Sequence, residues 1–205
     1  MTEANSAQPL AAHVAQTALL ALVAAIPVAG GSLSVIIGRT LERSRDNIHE
    51  IVQEAATSAG TAEALIARVE EDERLSYLLL NALEAGERTT IAEKRRVLGQ
   101  AVGRASRDPS LITESELQVR ALRDLDVPHV EAMAAIVAAL ESHPGMRPGM
   151  VVREALAGYP APVIAALVRN GLVEPESTWD DTAGIRGLNE FGARLLSNLR
   201  LRADA

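Results

Sequence analysis

Residues 17–38, TALLALVAAIPVAGGSLSVIIG, decide how this chain is organised, because they form its one segment long and apolar enough to enter a membrane. They belong to a longer interval, residues 4–38, that contains no Asp, Glu, Lys or Arg. As a helix the segment would be roughly 33 Å long, which is sufficient for the hydrocarbon core of a bilayer. The remainder of the chain has the composition of ordinary charged helices.

Two features of this segment make membrane insertion marginal. Much of its apolar character comes from Ala, and Pro27 interrupts helical hydrogen bonding just before Gly30 and Gly31. Two interpretations therefore stay open. The segment is either membrane-associated, spanning or re-entrant, or it is a buried hairpin or kinked helix of a soluble bundle, or a dimerisation helix.

The charges next to the segment predict its orientation. Arg39, Arg43 and Arg45 follow it at once, whereas no Lys or Arg precedes it. By the positive-inside bias, a spanning helix would leave the C-terminal bulk of the chain in the cytoplasm.

Small residues predict that the segment packs against another helix. Gly30, Ser34 and Gly38 are four residues apart and share one helical face, which would allow a second helix to approach closely. Together with Pro27 and Gly31 they are the predicted membrane or helix-packing residues, and they point to self-association.

The amino-acid composition limits the classes of function that are possible for this chain. The chain has 205 residues, 48% of them hydrophobic, which suffices for one sizeable domain or two small ones. Its net charge of −7 gives no global attraction for nucleic acid, and the lack of Cys excludes disulfides, thiolate catalysis and Cys-based zinc sites.

Apolar residues at intervals of three and four predict helices over most of the chain after Gly38. We expect helices at about residues 40–57, 61–83, 91–106, 114–123 and 128–141. The first of these could continue the hydrophobic segment. Thr61 is a predicted N-cap, the pairs Thr90/Glu93 and Thr113/Glu116 match capping boxes, and Pro128 suits a first turn. A domain boundary is expected near residue 126 or residue 142.

The last third of the chain resembles winged-helix regulators. The resemblance rests on residues 166–173, ALVRNGLV, and residues 188–196, LNEFGARLL, with two short strands expected at residues 172–173 and 185–188. It implies a three-helix unit with a wing in which Arg169 and Arg186 would be the DNA contacts. However, the helix before Gly171 is mostly apolar, and residues 128–205 contain seven Arg against nine acidic residues. A module that contacts protein therefore fits better than one that contacts phosphates.

The segment Ile26-Pro27-Val28-Ala29-Gly30-Gly31 is similar to the opening of uncharacterised bacterial and phage or prophage helical proteins. This resemblance carries no catalytic residue. It implies an accessory protein.

Five basic residues form a second candidate site on the helix at residues 91–106 and just after it. Arg96, Arg104 and Arg107 fall near one face of that helix. The group would contact anionic headgroups, nucleic acid or an acidic partner, or it is a solubilising face paired with neighbouring Glu87 and Glu93. Its members are Lys94, Arg95, Arg96, Arg104 and Arg107.

No pattern supports catalysis. Asp46 and His49 are three residues apart, but a helical di-metal site needs further carboxylates and a second histidine on facing helices. The acidic run at residues 70–73 points around its helix instead of converging. We therefore expect no enzyme, no metal site and no cofactor.

These patterns predict a mostly α-helical protein with four parts: a flexible N-terminus (residues 1–16), the hydrophobic segment (17–38), a helical bundle (39–126) and a winged-helix-like module with a two-stranded wing (127–205). The predicted function is that of a membrane-associated accessory protein that binds an unidentified protein partner. The alternative is a soluble DNA-binding regulator.

Overall fold

The computed structural model describes residues 32–87, 89–176 and 184–200 of the chain. In this part it has nine α-helices, one 3-10 turn at Pro109–Leu111 and one two-stranded antiparallel sheet. The predicted mostly α-helical fold with a small sheet is confirmed. The helices are α1 Ser32–Ala59, α2 Ala62–Glu71, α3 Glu73–Glu87, α4 Ala92–Arg107, α5 Ile112–Asp124, α6 Val127–Ser142, α7 Pro148–Leu156, α8 Ala161–Arg169 and α9 Glu190–Arg200, and the strands are β1 Val173–Glu176 and β2 Gly184–Leu188.

The chain divides into two compact units between Arg123 and Asp124, close to the predicted boundary after residue 126. The first unit contains helices α1 to α5 and the second contains α6 to α9 with the hairpin β1–β2. Most of the predicted hydrophobic segment, including Pro27, Gly30 and Gly31, lies outside the described residues. Ser34 and Gly38 lie on α1.

The core of the first unit is built on the pair α1 and α4. From Ile48 onward the apolar stripe of α1 recurs at helical spacing and is buried; it consists of Ile48, Ile51, Val52, Ala55 and Ala59. The facing stripe of α4 is equally buried and consists of Val97, Leu98, Ala101, Val102 and Ala105. Leucines of α3 complete this core, so the unit is a small bundle arranged around one helix pair.

Helices α1 and α4 approach each other closely because two glycines of α4 face α1. A Cβ on Gly99 would lie 2.5 Å from the carbonyl oxygen of Ile51 and 3.0 Å from the amide nitrogen of Ala55. A Cβ on Gly103 would overlap the carbonyl oxygen of Ala55. The spacing G-x-x-x-G places both glycines on one face of α4, and only glycine lets backbone meet backbone there.

The single helix predicted over residues 61–83 is wrong, because two helices meet at Asp72. Thr61 caps α2 as predicted, with its hydroxyl accepting from the Ala64 amide. At Asp72 the backbone is extended, and the Asp72 carboxylate accepts from the amides of Arg74 and Leu75. This side chain satisfies the free amides at the start of α3 and so allows a new helix to begin.

The two predicted capping boxes also do not form. The N-cap of α4 is Ile91, whose amide donates to the Thr89 hydroxyl, so Thr90 does not cap this helix. Asp108 accepts from the amide and hydroxyl of Ser110 and starts the 3-10 turn, which leads directly into α5. Thr113 therefore falls inside α5. The two hydrogen bonds from Ser110 hold the pKa of the Asp108 carboxyl below its ordinary value.

In the second unit α6 begins as the sequence predicts, with Pro128 in its first turn, and the Asp126 amide donates to Nδ1 of His129. Helices α6, α7 and α8 precede the hairpin, whose strands pair from Val173–Leu188 to Glu176–Gly184. Register is irregular between Glu174 and Pro175, since Pro175 has no amide to donate.

The start of α9 is held against the turn that follows α8. The Asn189 side chain donates to the Gly171 carbonyl and accepts from the Gly192 amide. A Cβ on Gly192 would overlap the carbonyl oxygen of Leu172, so this contact requires glycine.

The close approach of α1 and α4 predicts a large difference between two Gly→Ala substitutions. Gly99→Ala should destabilise the protein by about 1–3 kcal/mol, because overpacking outweighs a helix-propensity gain of up to about 1 kcal/mol. Gly158→Ala is the control, since no atom lies within 4 Å of a Cβ there, and it should be close to neutral. Chemical denaturation of both variants measures the difference, and equal stability would contradict the contact.

Candidate functional site

The two predicted DNA-contact residues are each paired with a carboxylate. Arg169 donates to Asp124 at 3.1 Å, and Arg186 lies 3.6 Å from Glu174 across the hairpin. Both arginine side chains are well exposed, so the pairs are individually weak, but each cation has a neutralising neighbour. The described residues of α8 and of the two strands therefore do not form a cationic surface.

The outward face of α8 is apolar apart from Arg169. Ala161, Pro162, Ala165 and Val168 are all exposed, and Val168 retains 54% of its accessible surface. Side chains of this kind have no hydrogen-bond donors for base edges or phosphates. They suit contact with apolar groups.

A groove of about 760 Å³ lies between α7, α8 and the hairpin, and we call it the α7–α8 groove. Helix α7 supplies one wall, α8 a second, and the paired ends of β1 and β2 a third. The lining residues that matter most are Met150, Arg153, Leu156, Ile164, Glu176 and Ile185.

The α7 wall has buried residues at its base and an exposed, flexible side chain at its edge. Val152 and Leu156 are buried and connect the groove to the core of the second unit. Met150 is 50% exposed, and Arg153 follows it by three residues on the same side of the helix. Methionine is flexible and polarisable, so this wall can adjust to the shape of an apolar partner group.

An ion pair between two lining residues, Arg147 and Glu176, forms part of the groove wall. Glu176 keeps only 18% of its side chain exposed, and its carboxylate accepts from Arg147 at 3.0 Å. The same carboxylate lies against Gly149 in the first turn of α7, where a Cβ would overlap it. A negative group is favoured at a helix N-terminus, so Glu176 fixes the hairpin end to α7 and shapes the groove.

The five predicted basic residues of α4 do not form one exposed surface. Lys94 is buried, and Arg95, with 14% of its side chain exposed, donates to Glu50 at 2.7 Å. Arg104 is half-buried and donates to Gln118, Arg96 is half-buried, and Arg107 is exposed. Helical periodicity shows that these residues share a helix. It does not show which of them face neighbouring helices of the unit.

The predicted membrane and helix-packing residues are only partly described. Ser34 and Gly38 lie within α1, which runs unbroken from Ser32 to Ala59, and Pro27, Gly30 and Gly31 lie outside the described residues. Among the helices of the described ranges, none combines the length and apolarity needed to cross a membrane. Residues 17–31 are not part of those ranges.

No group of three or more His, Asp or Glu side chains within the described ranges is arranged to hold a metal ion. Asp46 and His49 both lie on α1.

Comparison with known protein families, with curated proteins and with solved structures finds no match to this chain.

Sequence reasoning missed the two features that organise these units. The G-x-x-x-G spacing of Gly99 and Gly103 was visible in the sequence and could have predicted the α1–α4 contact. The α7–α8 groove had no comparable signal, because its walls come from residues between Arg147 and Ile185 on three separate elements.

If Arg95 is a structural residue, its removal should affect folding and not an external interaction. Arg95→Ala should lower the free energy of unfolding by about 1–3 kcal/mol, because Glu50 and the Thr89 carbonyl lose a charged donor. Arg107→Ala, at an exposed position of the same helix, should change it by less than about 0.5 kcal/mol. Urea titration compares the two variants, and similar values would argue for an exposed, functional Arg95.

Proposed function

We propose that this chain is a non-enzymatic, membrane-associated accessory protein whose second unit is a winged-helix-like module for binding protein. The α7–α8 groove carries this proposal. It combines apolar walls with few charges, and it continues into the exposed apolar face of α8. Grooves of this composition are typical of sites that accept apolar side chains of another polypeptide.

The winged-helix-like interpretation is supported by the order of the elements. Three helices, two antiparallel strands and a final helix follow one another in the second unit. In a winged helix, α8 would be the recognition helix and the hairpin the wing. The chemistry at these positions is unusual for that role, since the α8 face is apolar and Arg169 and Arg186 have carboxylate neighbours.

A soluble DNA-binding regulator is the second candidate function. The element order and the two exposed arginines favour it, because exposed ion pairs can open in the presence of phosphates. The excess of acidic residues in residues 128–205 opposes it.

The proposed membrane association rests on residues 17–38 and on the continuity of α1. Helix α1 joins the last seven of these residues, beginning at Ser32, to the core residue Ile48 without a break. Gly38 and Ile48 are about 15 Å apart along the helix axis. Arg39, Arg43 and Arg45 fall between them in the sequence, where basic residues would meet anionic headgroups.

The membrane proposal predicts how the full chain fractionates after expression in bacteria. The protein should stay in the membrane pellet after washing with carbonate and high salt. Ala24→Asp should release it, because a charge within the segment costs about 2.5–3.5 kcal/mol of insertion energy. Ala67→Asp on exposed α2 is the matched control and should leave the protein in the pellet. A folded wild-type protein in the soluble fraction would contradict membrane association.

The choice between protein and DNA as partner is tested by titrating random-sequence duplex DNA at increasing salt. We expect weak binding at physiological salt that is the same for wild type, Arg169→Ala and Arg186→Ala. Arg120→Ala, at an exposed position of α5, is the control. Tight binding that falls steeply with salt and is lost only in the Arg169 and Arg186 variants would establish the regulator instead.

A further inference from the structure

We infer that the occupant of the α7–α8 groove is an acidic amphipathic segment of a partner protein, an inference that rests on the proposed protein-binding function. Two independent features of the groove lead to it. One is the extent of its apolar surface, and the other is the sign of its uncompensated charge.

The apolar surface is longer than a compact ligand requires. Met150, Leu156 and Ile164 line the groove, and Ala161 at its edge begins the exposed face of α8. That face continues for two further turns through Ala165 to Val168. A segment of polypeptide with apolar residues at regular spacing covers such a strip, whereas a small molecule fills only the groove itself.

The charges of the groove select an acidic partner. Arg147 and Glu176 neutralise each other. Arg153 is exposed on the α7 wall, and no carboxylate of the described ranges lies within ion-pair distance of it. The described residues that line the groove therefore have one positive charge in excess, that of Arg153, although residues 128–205 have a net charge of −2. A partner carboxylate placed near Arg153 would gain charge complementarity while its apolar neighbours enter the groove.

Met150 and Arg153 place an apolar side chain and a positive charge next to each other. They are three residues apart on α7, so one turn of a partner helix, or one short extended segment, reaches both. The alkyl stem of Arg153 also adds apolar contact below its charge. The recognised pattern is thus a large apolar residue with an acidic residue close to it.

The test is a selection of peptides from a random-sequence phage library against the immobilised full chain. The Met150→Glu variant serves as the counter-selection. Met146→Glu is the matched control, because Met146 is 51% exposed and lies outside the groove. Selected sequences are then synthesised with a dye label and titrated against each variant by fluorescence anisotropy.

Enriched peptides should combine large apolar residues with Asp or Glu. Their binding should weaken more than tenfold in Met150→Glu and stay unchanged in Met146→Glu. Arg153→Glu should weaken the acidic peptides several-fold and strengthen binding of the same peptides when their acidic residues are replaced by Lys. This reversal is a readout that a merely structural role of Arg153 would not produce.

Three other outcomes overturn the inference, and they separate it from the proposed function. Neutral or basic peptides that need Met150 would refute the acidic partner but keep a protein-binding groove. Peptides whose binding is indifferent to Met150→Glu would refute the groove itself. If no peptide binds and Met150→Glu converts a dimer into a monomer in light scattering, the occupant is a second copy of this chain.

Discussion

The first unit depends on the contact between the backbones of α1 and α4 at Gly99 and Gly103. Because these residues have no side chain, the carbonyl oxygens of Ile51 and Ala55 come within reach of the α4 surface. The close seam aligns longer side chains on either side, so that Arg95 reaches Glu50 and Gln100 reaches Glu54. Helix α5 packs on the same helix α4, where Ser115 donates to the Ala101 carbonyl.

Helical periodicity predicted the elements well, whereas capping patterns predicted their junctions less well, since both capping boxes do not form. The spacing of apolar residues is a property of each helix alone, and most helices occur where this spacing placed them. Thr61 and Pro128 act as predicted because their effect is local. Asp72 was missed, since an acidic run is indistinguishable from a solvated helix face until one carboxylate turns to cap the next helix.

The candidate site was beyond sequence reasoning for a different reason. A groove is defined by the space between elements, and the sequence does not state which side chains will face that space. The basic residues of α4 are the converse case, in which the sequence predicted a shared surface that the fold does not form. Their proximity along the chain suggested a shared surface, but Lys94 and Arg95 are turned into the unit, where Arg95 meets Glu50.

Two arginines of the first unit and two of the second therefore serve different purposes. Arg95 and Arg104 of the first unit are largely or half removed from water and connect neighbouring helices. Arg169 and Arg186 of the second unit pair with carboxylates at the surface, where such pairs contribute at most about 1 kcal/mol each. Since charge adds so little there, burial of the apolar α8 face and groove would supply most of the affinity for a partner. A charge such as that of Arg153 would then act mainly on which partner binds and how fast it associates.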